Sequence, residues 1–270
     1  MPAGCSGERE EARGADELQT QDPVESPAVE IVDLREAFNG INGCAVLFSA
    51  RENKYSLYDR SMCEREASPY STFKIVSTLL GLRSGILEAE TSTMSYNGTQ
   101  YPVSQWNGNL TLREAFRSSC VWYFRQVIDE VGQAETEKAL EALSYGNCDV
   151  SEWNGSQTNS IEELNGFWLN SSLKISPLEQ VGVLSDLFEG RSQYSEEDIA
   201  VLKNIMLVDG DGARNIYGKT GSGPTGEAWF VGFTEEAGDD RYFAVYLNDE
   251  QKKETISGDT AKEIALKILQ

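Results

Sequence analysis

The residues with the clearest chemical potential are a serine and a lysine three positions apart, Ser71 and Lys74. On a helix this spacing places the two side chains on the same face, where they can meet. Pro69 lies just upstream, where a helix can begin, and an apolar run with helical spacing starts at Ile75. The spacing predicts a buried helix with Ser71 in its first turn and Lys74 one turn deeper.

The chain contains no histidine, which limits the chemistry that this serine can use. A serine hydroxyl attacks only after a base has taken its proton. Without imidazole, Ser-His-Asp triads, Cys-His dyads and histidine-ligated metal sites are excluded. The Ser-Lys arrangement remains, because a desolvated lysine can lose its charge and become basic.

Composition and charge restrict the class of protein. The chain has 270 residues, of which 40% are apolar, enough for one large domain or two small ones with a real core. A net charge of −21 argues against nucleic acid and anionic membrane surfaces as partners, because both require basic patches. No run approaches the roughly 18 apolar residues of a membrane span, so we expect no membrane-spanning segment.

The cysteines indicate no metal site, because no C-x-x-C pair occurs. Cys44 and Cys63 flank two strand-like runs that are nearly symmetric about a polar turn. A hairpin would bring them close, and two interpretations stay open: a disulfide or two buried thiols.

The first 27 residues are polar, with scattered glycine, proline and serine, and indicate a disordered tail or linker. Within them, Ala3-Gly4-Cys5 resembles the end of a bacterial lipoprotein cleavage site, although no apolar signal precedes it. Cys5 is then either a lipid attachment site or a chance cysteine. We expect an extracytoplasmic protein, secreted or lipid-anchored.

The remaining chain, 28–270, predicts a single α+β domain with an αβα arrangement. Strand-type runs are found early and late, over 44–58, 215–218, 228–234 and 242–247, and a short helix is expected over 29–38. Helical patterns fill an inserted lobe at approximately 78–206. Early and late strands can pair into one antiparallel sheet, which leaves a cleft beside the lobe for the start of the Ser71 helix.

Two further motifs follow Ser71 and Lys74 along the chain: Ser119-Cys120-Val121 and Lys219-Thr220-Gly221. This is the motif order of penicillin-recognising serine enzymes. From about Asn42 onward the chain most closely resembles the class D, oxacillinase-type β-lactamases. Three more segments carry that resemblance: Tyr145-Gly146-Asn147, Asn165-Gly166-Phe167-Trp168-Leu169 and Ala228-Trp229-Phe230-Val231-Gly232.

The resemblance implies a reaction with β-lactam small molecules as substrates. Ser71 would attack the lactam carbonyl, with the backbone N–H groups of Ser71 and Ser222 as the oxyanion hole. Ser119 would relay a proton to the departing nitrogen, while Lys219 and Thr220 of the Lys219-Thr220-Gly221 motif hold the substrate carboxylate. A monomer or weak homodimer is expected.

The resemblance also implies that carbon dioxide or bicarbonate modifies Lys74 to N6-carboxylysine, the general base. Only a neutral amine adds carbon dioxide, so the pocket must lower the lysine pKa by desolvation. Phe73, Val121 and Trp168 would form the apolar wall, with the Trp168 N–H free to bond the carbamate. Tyr145 would shape the cleft.

One departure from the family concerns the substrate carboxylate. Class D enzymes usually carry an arginine near the start of the last helix, where this chain has Ser257-Gly258-Asp259. Carboxylate binding then rests on Lys219 and Thr220 alone, or on Lys252 or Lys253.

Two rival functions stay open. The first is the sensor domain of a β-lactam receptor, which is acylated without turnover and commonly has asparagine at the position of Val121; the valine favours hydrolysis. The second is a D,D-peptidase, which the Tyr145-Gly146-Asn147 and Trp168 segments disfavour.

Overall fold

The computed structural model describes residues 26–210, 214–236 and 238–270. The predicted tail over 1–27, with Cys5, lies almost entirely outside the described residues, which begin at Ser26.

A single sheet of seven strands runs through the described residues, in the order β1-β3-β2-β7-β6-β5-β4. All neighbours pair antiparallel except β1 and β3, which are parallel. The strands are β1 (Ala28–Ile31), β2 (Gly43–Ser49), β3 (Lys54–Tyr58), β4 (Leu207–Gly210), β5 (Arg214–Ser222), β6 (Glu227–Glu236) and β7 (Arg241–Asn248). Early and late strands thus join at the β2–β7 pair, as the sequence predicts.

Helices cover both faces of this sheet. They are α1 (Arg35–Phe38), α2 (Arg60–Cys63), α3 (Lys74–Arg83), α4 (Leu112–Arg117), α5 (Val121–Val131), α6 (Gln133–Ala142), α7 (Pro177–Phe188), α8 (Glu196–Met206) and α9 (Gly258–Ile268). Capping boxes at Thr111 and Ser176 fix the starts of α4 and α7. In the described part of the chain, no helix combines the length and apolar character that a bilayer crossing requires.

Alternation along β6 shows why the fold has three layers. Trp229, Val231 and Phe233 point into the larger core, which α3, α5 and α7 share. Ala228 and Phe230 point into a second core under α9. A strand that is buried on both faces must lie between two helical layers, so the predicted α+β, αβα architecture is confirmed.

One local prediction, the helix over 29–38, is wrong. Residues 29–38 form strand β1 followed by the single-turn helix α1; Val29 and Ile31 alternate in an exposed edge strand whose backbone pairs with β3. Of the two interpretations left open for Cys44 and Cys63, the structure has the two buried free thiols. Both cysteines are fully buried, and the Cys63 thiol donates to the carbonyl oxygens of Tyr58 (3.2 Å) and Ala45 (3.4 Å).

Candidate active site

Ser71 lies in a 3-10 turn, Tyr70–Phe73, that leads directly into α3. Tyr70 has a left-handed backbone with φ of 49°, a conformation that costs a residue with a Cβ about 1 kcal/mol or more. The turn is held by its neighbours: Tyr70 N–H donates to the Trp168 carbonyl (3.1 Å), and Gln180 Nε2 donates to Thr72 Oγ1 (2.8 Å). These bonds hold the residues on either side of Ser71 in place.

Lys74 is the best-placed base for Ser71. Its Nζ lies 3.0 Å from Ser71 Oγ, and the residue has 0% exposure. Burial lowers the pKa of Lys74 to about 7. None of the carboxylates in the described ranges forms an ion pair with Lys74. A substantial fraction of this amine is therefore neutral near pH 7 and able to take the hydroxyl proton.

A second serine–lysine pair faces the same site. Ser119 lies between α4 and α5 with φ of 55°, and its Oγ is 2.6 Å from Lys219 Nζ on β5. Lys219 is also buried, and burial, followed by the charge of Lys74, holds its pKa well below the ordinary value. Lys219 and Gly221 lie on the same face of β5, and a Cβ on Gly221 would lie 3.4 Å from Ser71 N, so both pairs face one site.

Strand β5 runs close beside the nucleophile turn. A Cβ placed on Gly221 would lie 3.1 Å from the Pro69 carbonyl oxygen and 3.4 Å from Ser71 N, so only glycine fits without displacement. Thr220 is half-buried, while Ser222 ends the strand and its Oγ accepts from Gly258 N–H at 2.9 Å. The Lys219-Thr220-Gly221 motif is thereby brought against Ser71.

The four residues predicted to support the pocket lie in the same part of the fold. Tyr145, edge-on, and Trp168 contact the Phe73 ring at centroid distances of 6.0 and 5.4 Å, and all three are almost fully buried. Val121 is half-buried at the first position of α5. The Trp168 Nε1–H is buried and finds no acceptor in the described protein.

The Tyr145-Gly146-Asn147 segment has a structural explanation. Gly146 has φ of 55°, and a Cβ there would lie 1.9 Å from the Lys174 carbonyl oxygen. Asn147 Nδ2 donates to the Ser172 carbonyl at 2.9 Å. The segment therefore clamps the chain beyond Trp168 and shapes the cleft.

Sequence reasoning missed two aromatic rings that contact the lysines. Phe124 lies 5.4 Å from Lys74 Nζ, and Phe116 lies 5.5 Å from Lys219 Nζ, both measured to the ring centroid. Phe124 follows Val121 by three positions on α5, so helical spacing already places it on the same face.

Lys252 is one of the residues suggested to bind the substrate carboxylate in place of the missing arginine, and the structure does not support that role. Its ammonium contacts Asp249 (3.4 Å) and the Gly40 carbonyl oxygen instead. Lys253 is exposed beyond the same 3-10 turn, Glu250–Lys252. A cavity beside Lys219 and Thr220 is lined by two other cations, Arg117 and Lys262, which the sequence analysis did not single out.

Comparison with known proteins agrees with this geometry. The family described as "Penicillin binding protein transpeptidase domain" matches residues 43–270. The regulatory protein BlaR1 of Bacillus licheniformis is 34% identical over 84% of this chain, which spans 36% of that protein's length.

Two solved structures are also similar. A class D β-lactamase of Bacillus subtilis has a TM-score of 0.79 and 30% identity, covering 88% of this chain and 94% of that one. The C-terminal domain of the B. licheniformis BlaR penicillin-receptor has a TM-score of 0.81 and 32% identity, covering 91% and 97%. The chain belongs to the penicillin-binding transpeptidase family, and its relatives there include class D β-lactamases and penicillin-receptor domains.

Proposed function

We propose that this chain hydrolyses β-lactams through an acyl-enzyme on Ser71. The observation that carries the proposal is the fully buried Lys74 amine, 3.0 Å from Ser71 Oγ and unpaired with any described carboxylate. Such an amine is a base near neutral pH, whereas an ion-paired lysine would stay protonated.

In the acylation step, Lys74 takes the Ser71 hydroxyl proton as Oγ bonds to the lactam carbonyl carbon. The backbone N–H groups of Ser71 and Ser222 are the proposed donors to the oxyanion. The C–N bond then breaks, and the nitrogen receives a proton through Ser119. Lys219, 2.6 Å from Ser119 Oγ, is placed to orient that hydroxyl and supply its proton.

We further propose that Lys74 carries carbon dioxide as N6-carboxylysine, which would be the general base for acylation and again for the deacylating water. Carbon dioxide supplies a carboxylate oxygen that can accept a proton from water. The residues present fit this group: the Lys74 amine is partly neutral, and the buried Trp168 N–H has no acceptor in the described protein. An N–H left without a partner in a core costs about 1–3 kcal/mol, which an added acceptor would recover.

The second candidate function is a receptor domain that is acylated and does not turn over. It is favoured by the likeness to the B. licheniformis penicillin-receptor domain. Val121 favours hydrolysis instead, because such receptor domains commonly have asparagine at this position and an apolar side chain offers no hydrogen bond that could compete for the amine. We rank a D,D-peptidase third, on the Tyr145 and Trp168 segments.

The deciding experiment is steady-state turnover of benzylpenicillin with and without added bicarbonate. We expect many turnovers, faster with bicarbonate, and none from Ser71→Ala. A chromogenic cephalosporin that gives a burst of one equivalent and no steady rate would identify a receptor domain. Indifference to bicarbonate combined with full activity of Lys74→Ala would refute the carbamate mechanism.

We also propose an extracytoplasmic location with lipid attachment at Cys5, on the strength of the Ala3-Gly4-Cys5 sequence. Mass spectrometry of Cys5 in the protein isolated from bacterial membranes tests this. A Cys5→Ser variant is the control, and an unmodified Cys5 would refute the attachment.

A further inference from the structure

We propose that Arg117 and Lys262 bind the carboxylate of the substrate, from two sides of a cavity that opens beside Lys219 and Thr220. The proposal rests on the proposed function and defines its substrate class as anionic acyl donors. It assigns a role to two residues outside the sequence motifs.

The cavity has a volume of about 410 Å³, and its lining residues come from α4, β4, β5, β6 and α9. Helix α4 contributes Phe116 and Arg117, β5 contributes Lys219 and Thr220, and α9 contributes Asp259 and Lys262. Because Lys219 Nζ also lies 2.6 Å from Ser119 Oγ, the cavity adjoins the proposed reaction site.

Both new cations are uncommitted within the described part of the chain. Arg117 and Lys262 take part in none of its ion pairs, and Arg117 is exposed while Lys262 is half-buried. Besides Lys219, whose pKa is lowered by burial, the cavity is lined by the two cations Arg117 and Lys262 and by the single carboxylate of Asp259. In a chain of net charge −21, such a local excess of positive charge is the reverse of what composition predicts.

Lys219 by itself is poorly suited to hold the anion. Its Nζ is already bonded to Ser119 Oγ and to the Thr220 carbonyl oxygen (2.9 Å), and burial lowers its pKa. Asp259, at the start of α9, presents a negative charge where the resemblance leads one to expect an arginine. A substrate carboxylate would therefore be repelled unless further cations offset Asp259. Arg117, with its planar fork of donors, is suited to bidentate carboxylate binding.

The test measures binding in a Ser71→Ala chain, which cannot be acylated, so that the result does not depend on turnover. Affinity for benzylpenicillin is compared with affinity for its neutral methyl ester. We expect the added Arg117→Ala and Lys262→Ala changes together to weaken binding of the acid by about tenfold or more. Binding of the ester should stay the same. Lys267→Ala, an exposed lysine on α9 outside the cavity, is the matched control.

Asp259→Asn gives a prediction of the opposite sign. Removal of this carboxylate should tighten binding of the acid several-fold and leave the ester unchanged, with the difference shrinking as salt is raised. Equal losses for acid and ester in the double variant, no loss for either, or failure of the Ser71→Ala chain to bind the acid would each overturn the proposal. Turnover by the unaltered chain is read separately and bears on the proposed function alone.

Discussion

The indole N–H of Trp168 allows the carbamate proposal to be tested by two measurements: the free energy of unfolding without carbon dioxide and the bicarbonate requirement of penicillin turnover. Loss of this N–H should be favourable in the first measurement and unfavourable in the second. Trp168 is 1% exposed, and its Nε1 has no acceptor in the described protein. Trp229 is 0% exposed, and its Nε1 donates to the Ser68 carbonyl at 3.0 Å. The two tryptophans are thus matched in burial and differ in whether the N–H is already bonded.

Replacement of each by phenylalanine should separate the N–H from the loss of packing. Both changes remove similar apolar volume, so their packing costs are comparable. Trp229→Phe also leaves the Ser68 carbonyl unpaired, whereas Trp168→Phe removes a donor that is unpaired without carbon dioxide. In buffer free of carbon dioxide, we expect Trp168→Phe to lower the free energy of unfolding by about 1–3 kcal/mol less than Trp229→Phe.

Added bicarbonate should reverse the advantage of Trp168→Phe. A hydrogen bond to a charged group contributes about 1.5–3 kcal/mol, so this variant should need roughly 10- to 100-fold more bicarbonate to reach half of its maximal activity. Trp229→Phe should keep the bicarbonate requirement of the unaltered chain. The assays are urea unfolding under both conditions and a bicarbonate titration of penicillin turnover. Equal stability losses together with an unchanged bicarbonate requirement for Trp168→Phe would refute the assignment of this N–H.

Three further predictions concern titration, backbone fit and cysteine chemistry. Because burial lowers the pKa of Lys74 to about 7 in the folded chain, the unfolded chain binds the extra proton between about pH 7 and pH 10. The contribution of Lys74 to the free energy of unfolding should therefore rise with pH in that window. In urea titrations, the stability advantage of Lys74→Met over the unaltered chain should be largest at or below pH 7 and smaller at pH 9. A difference in stability that stays constant with pH would contradict the lowered pKa. Gly146→Ala should lower the free energy of unfolding by more than about 2 kcal/mol, since a Cβ there would lie 1.9 Å from a backbone carbonyl oxygen. Gly98 is also left-handed but has open space around it, so Gly98→Ala should cost only about 1 kcal/mol. Equal losses would argue against a tight contact between Gly146 and the Lys174 carbonyl. Because Cys44 and Cys63 are free thiols, dithiothreitol should leave the melting temperature unchanged. A clear fall in the melting temperature would support a disulfide between them.

The sequence by itself determined the local part of this protein. The absence of histidine left a Ser-Lys pair as the reactive unit, and a spacing of three residues on one helical turn places Ser71 and Lys74 together wherever that turn lies. Helices α4 to α8 all lie within the helical lobe predicted at approximately 78–206, because start signals and apolar spacing act within one or two turns. Such features require no knowledge of the rest of the chain.

Only the tertiary structure decided what depends on distant segments. Lys219 reaches Ser119 across 100 positions of sequence because β5 is paired inside the sheet while α4 and α5 pack beside it. The same closure excludes water from Lys74, and desolvation, which no local pattern encodes, lowers its pKa. Likewise residues 28–31 become a strand because β3 offers a free edge, and Arg117 and Lys262 share a cavity because α4 and α9 converge on β5.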